Sequence, residues 1–71
     1  MPRYYFHWDL GTHRIHDDDG VELPDDDSAL RRAETERELL IAAFSVERHY
    51  NNYGIEVCDT DGQALFRISL R

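Results

Sequence analysis

The stretch from about Asp27 to Arg48 reads as an amphipathic helix, and the segments on either side of it read as β-hairpins that need an apolar surface to lie on. The start of the helix is strongly marked. Asp25, Asp26, Asp27 and Ser28 follow Pro24, and short polar side chains in that place accept hydrogen bonds from the first unpaired backbone N–H groups. Their carboxylates also sit at the positive end of the helix dipole. Beyond them Leu30, Ala33, Leu40, Ile41 and Phe44 recur at three- and four-residue spacing, bordered by Ala29 and Ala43, which defines a stripe facing a core. Arg37 interrupts the stripe; its aliphatic stem can pack while the guanidinium reaches water or an acidic partner. Arg31, Arg32, Glu34, Glu38 and Glu47 make the solvated side. Arg48 and His49 suit the negative pole, and Asn51, Asn52 and Gly54 tolerate positive φ, so the helix is predicted to stop before Tyr53.

Before the helix, Arg3 to Trp8 is dense in β-formers, with Tyr4, Phe6 and Trp8 on one face and Tyr5 and His7 on the other, and Thr12 to Asp17 can fold back beside it. Two registers compete for this hairpin. A two-residue loop at Leu10-Gly11 sets Phe6 opposite Ile15 and His7 opposite Arg14; a three-residue loop sets His7 opposite His13. The first is preferred because it buries Phe6 and Ile15 together, although leucine is a poor residue for positive φ. Asp17-Asp18-Asp19-Gly20 then makes a turn, and Val21 to Pro24 runs extended to the helix as a connecting arm. The second hairpin pairs Tyr53 to Cys58 with Gln63 to Leu70 around the turn Asp59-Thr60-Asp61-Gly62.

These elements predict one α+β domain over residues 1–71: a two-layer ββαββ arrangement with a four-stranded, mainly antiparallel sheet and one helix on one face. Numbering strands by hairpin, the orders 2-1-3-4 and 2-1-4-3 both remain open, because the first and fourth strands are each strongly apolar. In either order the second face of the sheet carries Tyr5, His7, Arg14, His16, Glu56, Cys58, Leu65 and Arg67. That face is the expected interaction surface.

A chain of 71 residues removes only about 60% of its unfolded surface from water, so help from oligomerisation is expected. Disulfides cannot supply it, since Cys58 is the single cysteine; a free thiol points to the cytoplasm. No apolar run resembles a signal peptide or a membrane span. Eight arginines, no lysine and fifteen carboxylates give a net charge of −7. With the arginines scattered, that balance repels a phosphate backbone and argues against nucleic acid as a partner.

Pro2-Arg3-Tyr4-Tyr5-Phe6-His7, the arm Asp19-Gly20-Val21-Glu22-Leu23-Pro24-Asp25 and the turn after Ile55-Glu56-Val57 together resemble an uncharacterised family of short bacterial proteins, a domain of unknown function. The similarity spans nearly the whole chain, and the Gly-Val-Glu-Leu-Pro-Asp arm is its most specific part. The helix departs from it: the family tends to be alanine-rich where this chain has Asp26, Asp27, Thr35 and Glu36. The resemblance implies a bacterial, single-domain protein and assigns no catalytic residue.

Candidate chemistry is thin. Asp-x-Asp-Gly occurs twice, but aligning Gly20 with the glycine of a calcium loop puts Ile15 first and Asp26 last, and aligning Gly62 puts Val57 first and Ile68 last. Both stretches are therefore read as turns. His7, His13 and His16 are the one cluster of ligand-type side chains; zinc or nickel would need further donors such as Asp9, Glu56 or Cys58, and the spacing matches no strong metal signature. No nucleophile elbow, Cys/His pairing or phosphate loop accompanies Cys58, Ser28, Ser45 or Ser69, so no enzymatic activity and no cofactor are expected.

The expectation is a small acidic binding or regulatory protein acting through protein–protein contact, as a homodimer or as a subunit of an assembly. Its eight aromatic residues, Tyr50 and Phe44 among them, exceed what one helix can cover. The alternatives are a metal-binding protein using the hairpin histidines and an antitoxin-type or nucleic-acid-associated regulator.

Overall fold

The computed structural model describes residues 1–44 and 52–70, with Phe44 described by its backbone alone. The chain runs β1 (Arg3–Leu10), β2 (His13–Ile15), β3 (Val21–Glu22), α1 (Asp26–Phe44), β4 (Tyr53–Cys58) and β5 (Ala64–Ser69). It is an α+β fold, with one helix on a mainly antiparallel sheet, as the alternation of patterns predicted. The sheet order is β2-β1-β4-β5, every neighbouring pair antiparallel. This is the first of the two orders left open. The aromatic-rich β1 lies inside the sheet and takes partners on both of its edges.

The helix begins where its polar cluster placed it. Asp25 is the cap: its Oδ1 accepts the Ser28 backbone N–H at 2.8 Å, while its carbonyl accepts the first helical N–H from Ala29 at 3.2 Å. The Ser28 bond holds the Asp25 carboxyl below its ordinary range. Tyr4 Oη donates to Asp26 Oδ1 at 2.7 Å and ties the first turn to β1. Expectations for the other end of the helix, Glu47, Arg48, His49, Tyr50 and Asn51 included, lie outside the described residues, as does the side chain of Phe44.

The apolar stripe is centred differently from its prediction. Ala29, Ala33 and Leu40 are buried, whereas Leu30 is 39% exposed and Ala43 is exposed. Size decides this: the sheet brings up Tyr4 and Phe6, which fill the interlayer space and leave room for methyl groups under the first half of the helix. Leu40, Ile55, Val57 and Leu70 complete the buried core. Half-buried Arg37 keeps its place in the stripe by reaching past the core's edge, where its Nη1 donates to the Ser69 carbonyl at 3.5 Å.

The register of the first hairpin differs from both expectations. Trp8 lies opposite Ile15, Asp9 opposite Arg14 and Leu10 opposite His13, so the two-residue loop is Gly11-Thr12. Gly11, at φ +76, occupies the first central position, where the tight hairpin turn that needs positive φ takes glycine; a loop at Leu10-Gly11 would have put leucine there. Because the shift is by two residues, Ile15 still shares a face with Phe6 and Trp8.

Val21–Glu22 is more than a connecting arm. It pairs with β1 as a two-residue strand, Tyr4 opposite Val21, and the Leu23 N–H extends the pairing to the Pro2 carbonyl at 3.0 Å. Gly54, expected to supply positive φ after the helix, instead lies inside β4. A Cβ there would stand 2.7 Å from the Ile68 carbonyl oxygen and 2.8 Å from the Arg67 guanidinium. In the second hairpin Asp59 Oδ1 accepts the Asp61 and Gln63 N–H groups at 2.9 Å each, which is turn chemistry, and Gly62 has φ +81. A bulge at Leu65 follows, between the pairs Val57–Phe66 and Cys58–Ala64.

Candidate functional site

The site grows out of a break in the edge of β1. β2 pairs with Trp8 to Leu10 and β3 with Arg3 and Tyr4, so residues 16–20 must cross the interval opposite Tyr5, Phe6 and His7 without forming a ladder. Asp17 makes up the missing bonds. Its Oδ2 accepts the Phe6 N–H at 3.1 Å, and its Oδ1 accepts the N–H groups of Asp19 at 3.2 Å and Gly20 at 3.0 Å. One carboxylate thus closes its own turn and satisfies a strand amide. Burial alone would push the Asp17 carboxyl up, but these N–H donors, with His7 beside it, hold it below the ordinary range.

The crossing is also pinned from the second face of the sheet. Arg3 Nη1 donates to the Asp19 carbonyl at 2.7 Å, and the Asp17 N–H donates to His7 Nδ1 at 3.1 Å. Gly20, at φ +72, passes so close that a Cβ would stand 2.9 Å from the Tyr5 ring and 3.0 Å from the Tyr4 carbonyl oxygen. Three alternate residues of β1, Arg3, Tyr5 and His7, therefore hold the loop.

On the helix side the same break leaves a groove of about 280 Å³. Its floor is Phe6 and Trp8, with Ile15 and Val21 at the ends of the flanking strands; the loop at Asp17 and Gly20 forms one wall, and Arg32 and Glu36 of α1 form the other. Ile15 is 43% exposed. The helical wall is hydrogen-bonded to the floor. Trp8 Nε1 donates to Glu36 Oε1 at 3.0 Å, Arg32 Nε donates to Glu36 Oε2 at 2.9 Å, and the Arg32 guanidinium lies 6.0 Å from the centroid of the Phe6 ring. An aromatic floor with satisfied polar groups at its rim suits an apolar side chain rather than a small charged molecule.

The second face of the sheet is bound up in its own ion pairs. Arg14 grips Asp9 through two bonds, at 2.6 and 2.8 Å, and reaches Glu56 at 3.1 Å. Arg67 pairs with the same Asp9 and donates to the Asn52 carbonyl at 3.2 Å. The Arg14 bonds, followed by those of Arg67, hold the Asp9 carboxyl below its ordinary range, and Asp9 and Glu56 together push Arg14 upward. Cys58 is buried on this face; burial, reinforced by the Glu56 carboxylate, pushes its thiol up and makes it a poor nucleophile.

The structure brings together most of the residues singled out from the sequence. His7 and His16 meet edge to face, their centroids 5.0 Å apart, while His13 lies opposite Leu10 at the hairpin's end. Among the described residues no three His, Cys, Asp or Glu side chains are placed to hold a metal ion. Of the expected interaction face, Tyr5 and His7 support the loop, and Arg14, Glu56 and Arg67 belong to the ion network; His16 is exposed and Leu65 is 39% exposed. Sequence reasoning missed the groove and the roles of Trp8, Asp17, Arg32 and Glu36. One signal was present: Asp17 stands three residues before Gly20, as Asp59 does before Gly62. Both are turn-closing aspartates, but only Asp17 has a broken strand edge beside it.

No described helix is long and apolar enough to cross a membrane. Comparison with the curated proteins and with the solved structures returned no match. A family model does match, over residues 3–71, and the family is an uncharacterised one, as the resemblance implied. The chain belongs to the family described as Domain of unknown function (DUF6894).

Proposed function

We propose that this protein is a non-catalytic binding module that takes an apolar side chain of a basic protein segment into the groove between α1 and residues 16–20. The observation that carries this reading is an apolar cleft, floored by the half-buried Trp8 over Phe6 and opening beside exposed Ile15, within an acidic setting. Phe6, Trp8, Ile15 and Val21 line the cleft, and Asp17 and Glu36 stand on its walls with Asp18 and Asp19 exposed beside them. Arg32 and His16 also line the cleft, and the Arg32 charge is already paired with Glu36. A net charge of −7 favours encounter with a cationic partner and disfavours acidic ones. Buried Cys58 with its raised pKa supports binding rather than nucleophilic chemistry, and as a lone thiol it fits a reducing compartment such as the cytoplasm.

A second reading is a symmetric dimer through β5, whose outer edge carries no strand among the described residues. Amide NMR distinguishes the two. Short peptides with one leucine or phenylalanine flanked by lysines and arginines are expected to shift Ile15, Val21 and Trp8, with affinity falling as salt rises; Ile15→Asp removes the effect. Dimerisation instead moves Leu65 and Arg67 with protein concentration alone. Equal response to basic and acidic peptides, or none to either, refutes the groove reading.

A further inference from the structure

The loop that walls the groove is held by an imidazole acting as a hydrogen-bond acceptor, and this arrangement survives in only one protonation state. His7 Nδ1 accepts the Asp17 backbone N–H at 3.1 Å, so in the closed loop Nδ1 carries no proton and the ring is neutral, with its proton on Nε2. We propose that His7 is a pH-sensitive latch: a proton taken from solvent onto Nδ1 turns the acceptor into a donor, expels the Asp17 amide, and loosens residues 16–20 where they wall the groove. The proposal rests on the groove being the binding site only for its consequence for partners. The latch itself is a property of the free chain.

Charged groups reach His7 from every element packed around it. On β1 its same-face neighbours are Tyr5 and Asp9; on β4 Glu56 lies directly opposite and Cys58 diagonal; Arg14 of β2 reaches toward Glu56; and the loop contributes His16 and Asp17. Of these groups Glu56, Asp17 and Asp9 are carboxylates, Arg14 is a fixed cation already paired with Asp9 and Glu56, and His16 is a second imidazole in ring contact with the first. Glu56 also gives the protonated ring a carboxylate to turn toward, away from the loop. Asp17 then keeps its carboxylate on the Phe6 N–H but loses the bond that fixes its own backbone. Arg3 on the Asp19 carbonyl and the tight seat of Gly20 remain, so the expected change is a local loosening rather than global unfolding.

The test is an NMR titration of the isotopically labelled full chain from pH 8 to pH 5, reading the His7 ring nitrogens and amide hydrogen exchange corrected for its intrinsic pH dependence. At pH 8 His7 is expected as the Nε2–H tautomer. As it titrates, protection of the Asp17 amide should fall about tenfold or more, with Ile55 and Val57 unchanged. His7→Gln, which cannot titrate, should abolish the pH dependence, and His16→Gln should keep it. Asp17 protection that stays constant while His7 titrates in the wild type overturns the latch, whether or not the His7→Gln variant folds. Basic-apolar peptides added at both pH values separate the two ideas. No binding at any pH refutes the groove and leaves the exchange result standing, whereas binding that weakens at pH 5 in the wild type but not in His7→Gln joins them.

Discussion

Removing the Asp17 carboxylate should unfasten one edge of the sheet. In Asp17→Ala three N–H groups lose their acceptor, and they are not equivalent. Phe6 is 4% exposed and its N–H faces the gap between β2 and β3, so leaving it unpaired costs about 1–3 kcal/mol. The Asp19 and Gly20 amides lie in the loop and can turn to water, which limits their share to about 0.5–1 kcal/mol in total. The expected loss is therefore about 1.5–4 kcal/mol, a large part of the stability on the order of 5–10 kcal/mol available to a domain of this size. Asp17→Asn keeps one acceptor oxygen but no charge and should lose about half as much. Urea melts followed by Trp8 fluorescence measure this directly, because Trp8 is the single tryptophan and lies in the groove beside the loop. With a slope of about 1 kcal/mol/M, the midpoint should fall by about 1.5–4 M for alanine. The effect carries a pH signature. Asp17 titrates lower in the folded chain than in the unfolded one, so its contribution is complete above the ordinary aspartate range and fades as the pH falls through the lowered value. Wild type and Asp17→Ala should converge in acid. A midpoint unchanged at pH 7, or a gap between the two that stays constant down to pH 2, would refute the assignment of Asp17 as the bridge across the broken edge.

Two further perturbations probe other joints of the fold. Gly54→Ala should cost about 1–3 kcal/mol by thermal melting, because its Cβ would stand 2.7 Å from the Ile68 carbonyl oxygen in the neighbouring strand; a neutral result would mean that β4 and β5 are not in this close contact. Tyr4 is pushed up to about 12, chiefly by donating its hydroxyl proton to Asp26 and further by burial. Its contribution is thus fully present below the ordinary tyrosine pKa near 10 and is lost as the pH rises from there toward 12. Tyr4→Phe should remove that alkaline loss and lower the thermal midpoint at neutral pH, and a wild type no more sensitive to alkali than the variant would contradict the bond.

Local chemistry settled much of the fold before any contact was known. The acidic run after Pro24 starts the helix because the Asp25 carboxylate binds the Ser28 N–H within a single turn, a bond that needs no distant partner. Asp59 and Gly62 close the second hairpin in the same self-contained way. Alternation along β1 placed Tyr4 and Phe6 in the core because successive side chains of a strand point to opposite faces. The same alternation could not distinguish a pairing from its neighbour two residues along, since both put the same side chains on the same face. Only the backbone demand for glycine at the first turn position chose the loop Gly11-Thr12. The helix stripe carried a similar ambiguity: Leu30 has the greater hydrophobicity, yet Ala29 is buried, because the layer spacing is set by Tyr4 and Phe6 from the sheet.

What tertiary structure alone decided is the place where regular pairing fails. The break opposite Phe6 exists because β2 ends at Ile15 and β3 resumes only at Val21, and the residues that bridge or line it come from β1, the ends of β2 and β3, the loop and α1, as far apart in the chain as Phe6 and Glu36. Periodicity reports which face a residue occupies within its own element. It carries nothing about which elements stop short of one another, and here that shortfall, patched by Asp17 on one side and left open over Trp8 on the other, makes the groove.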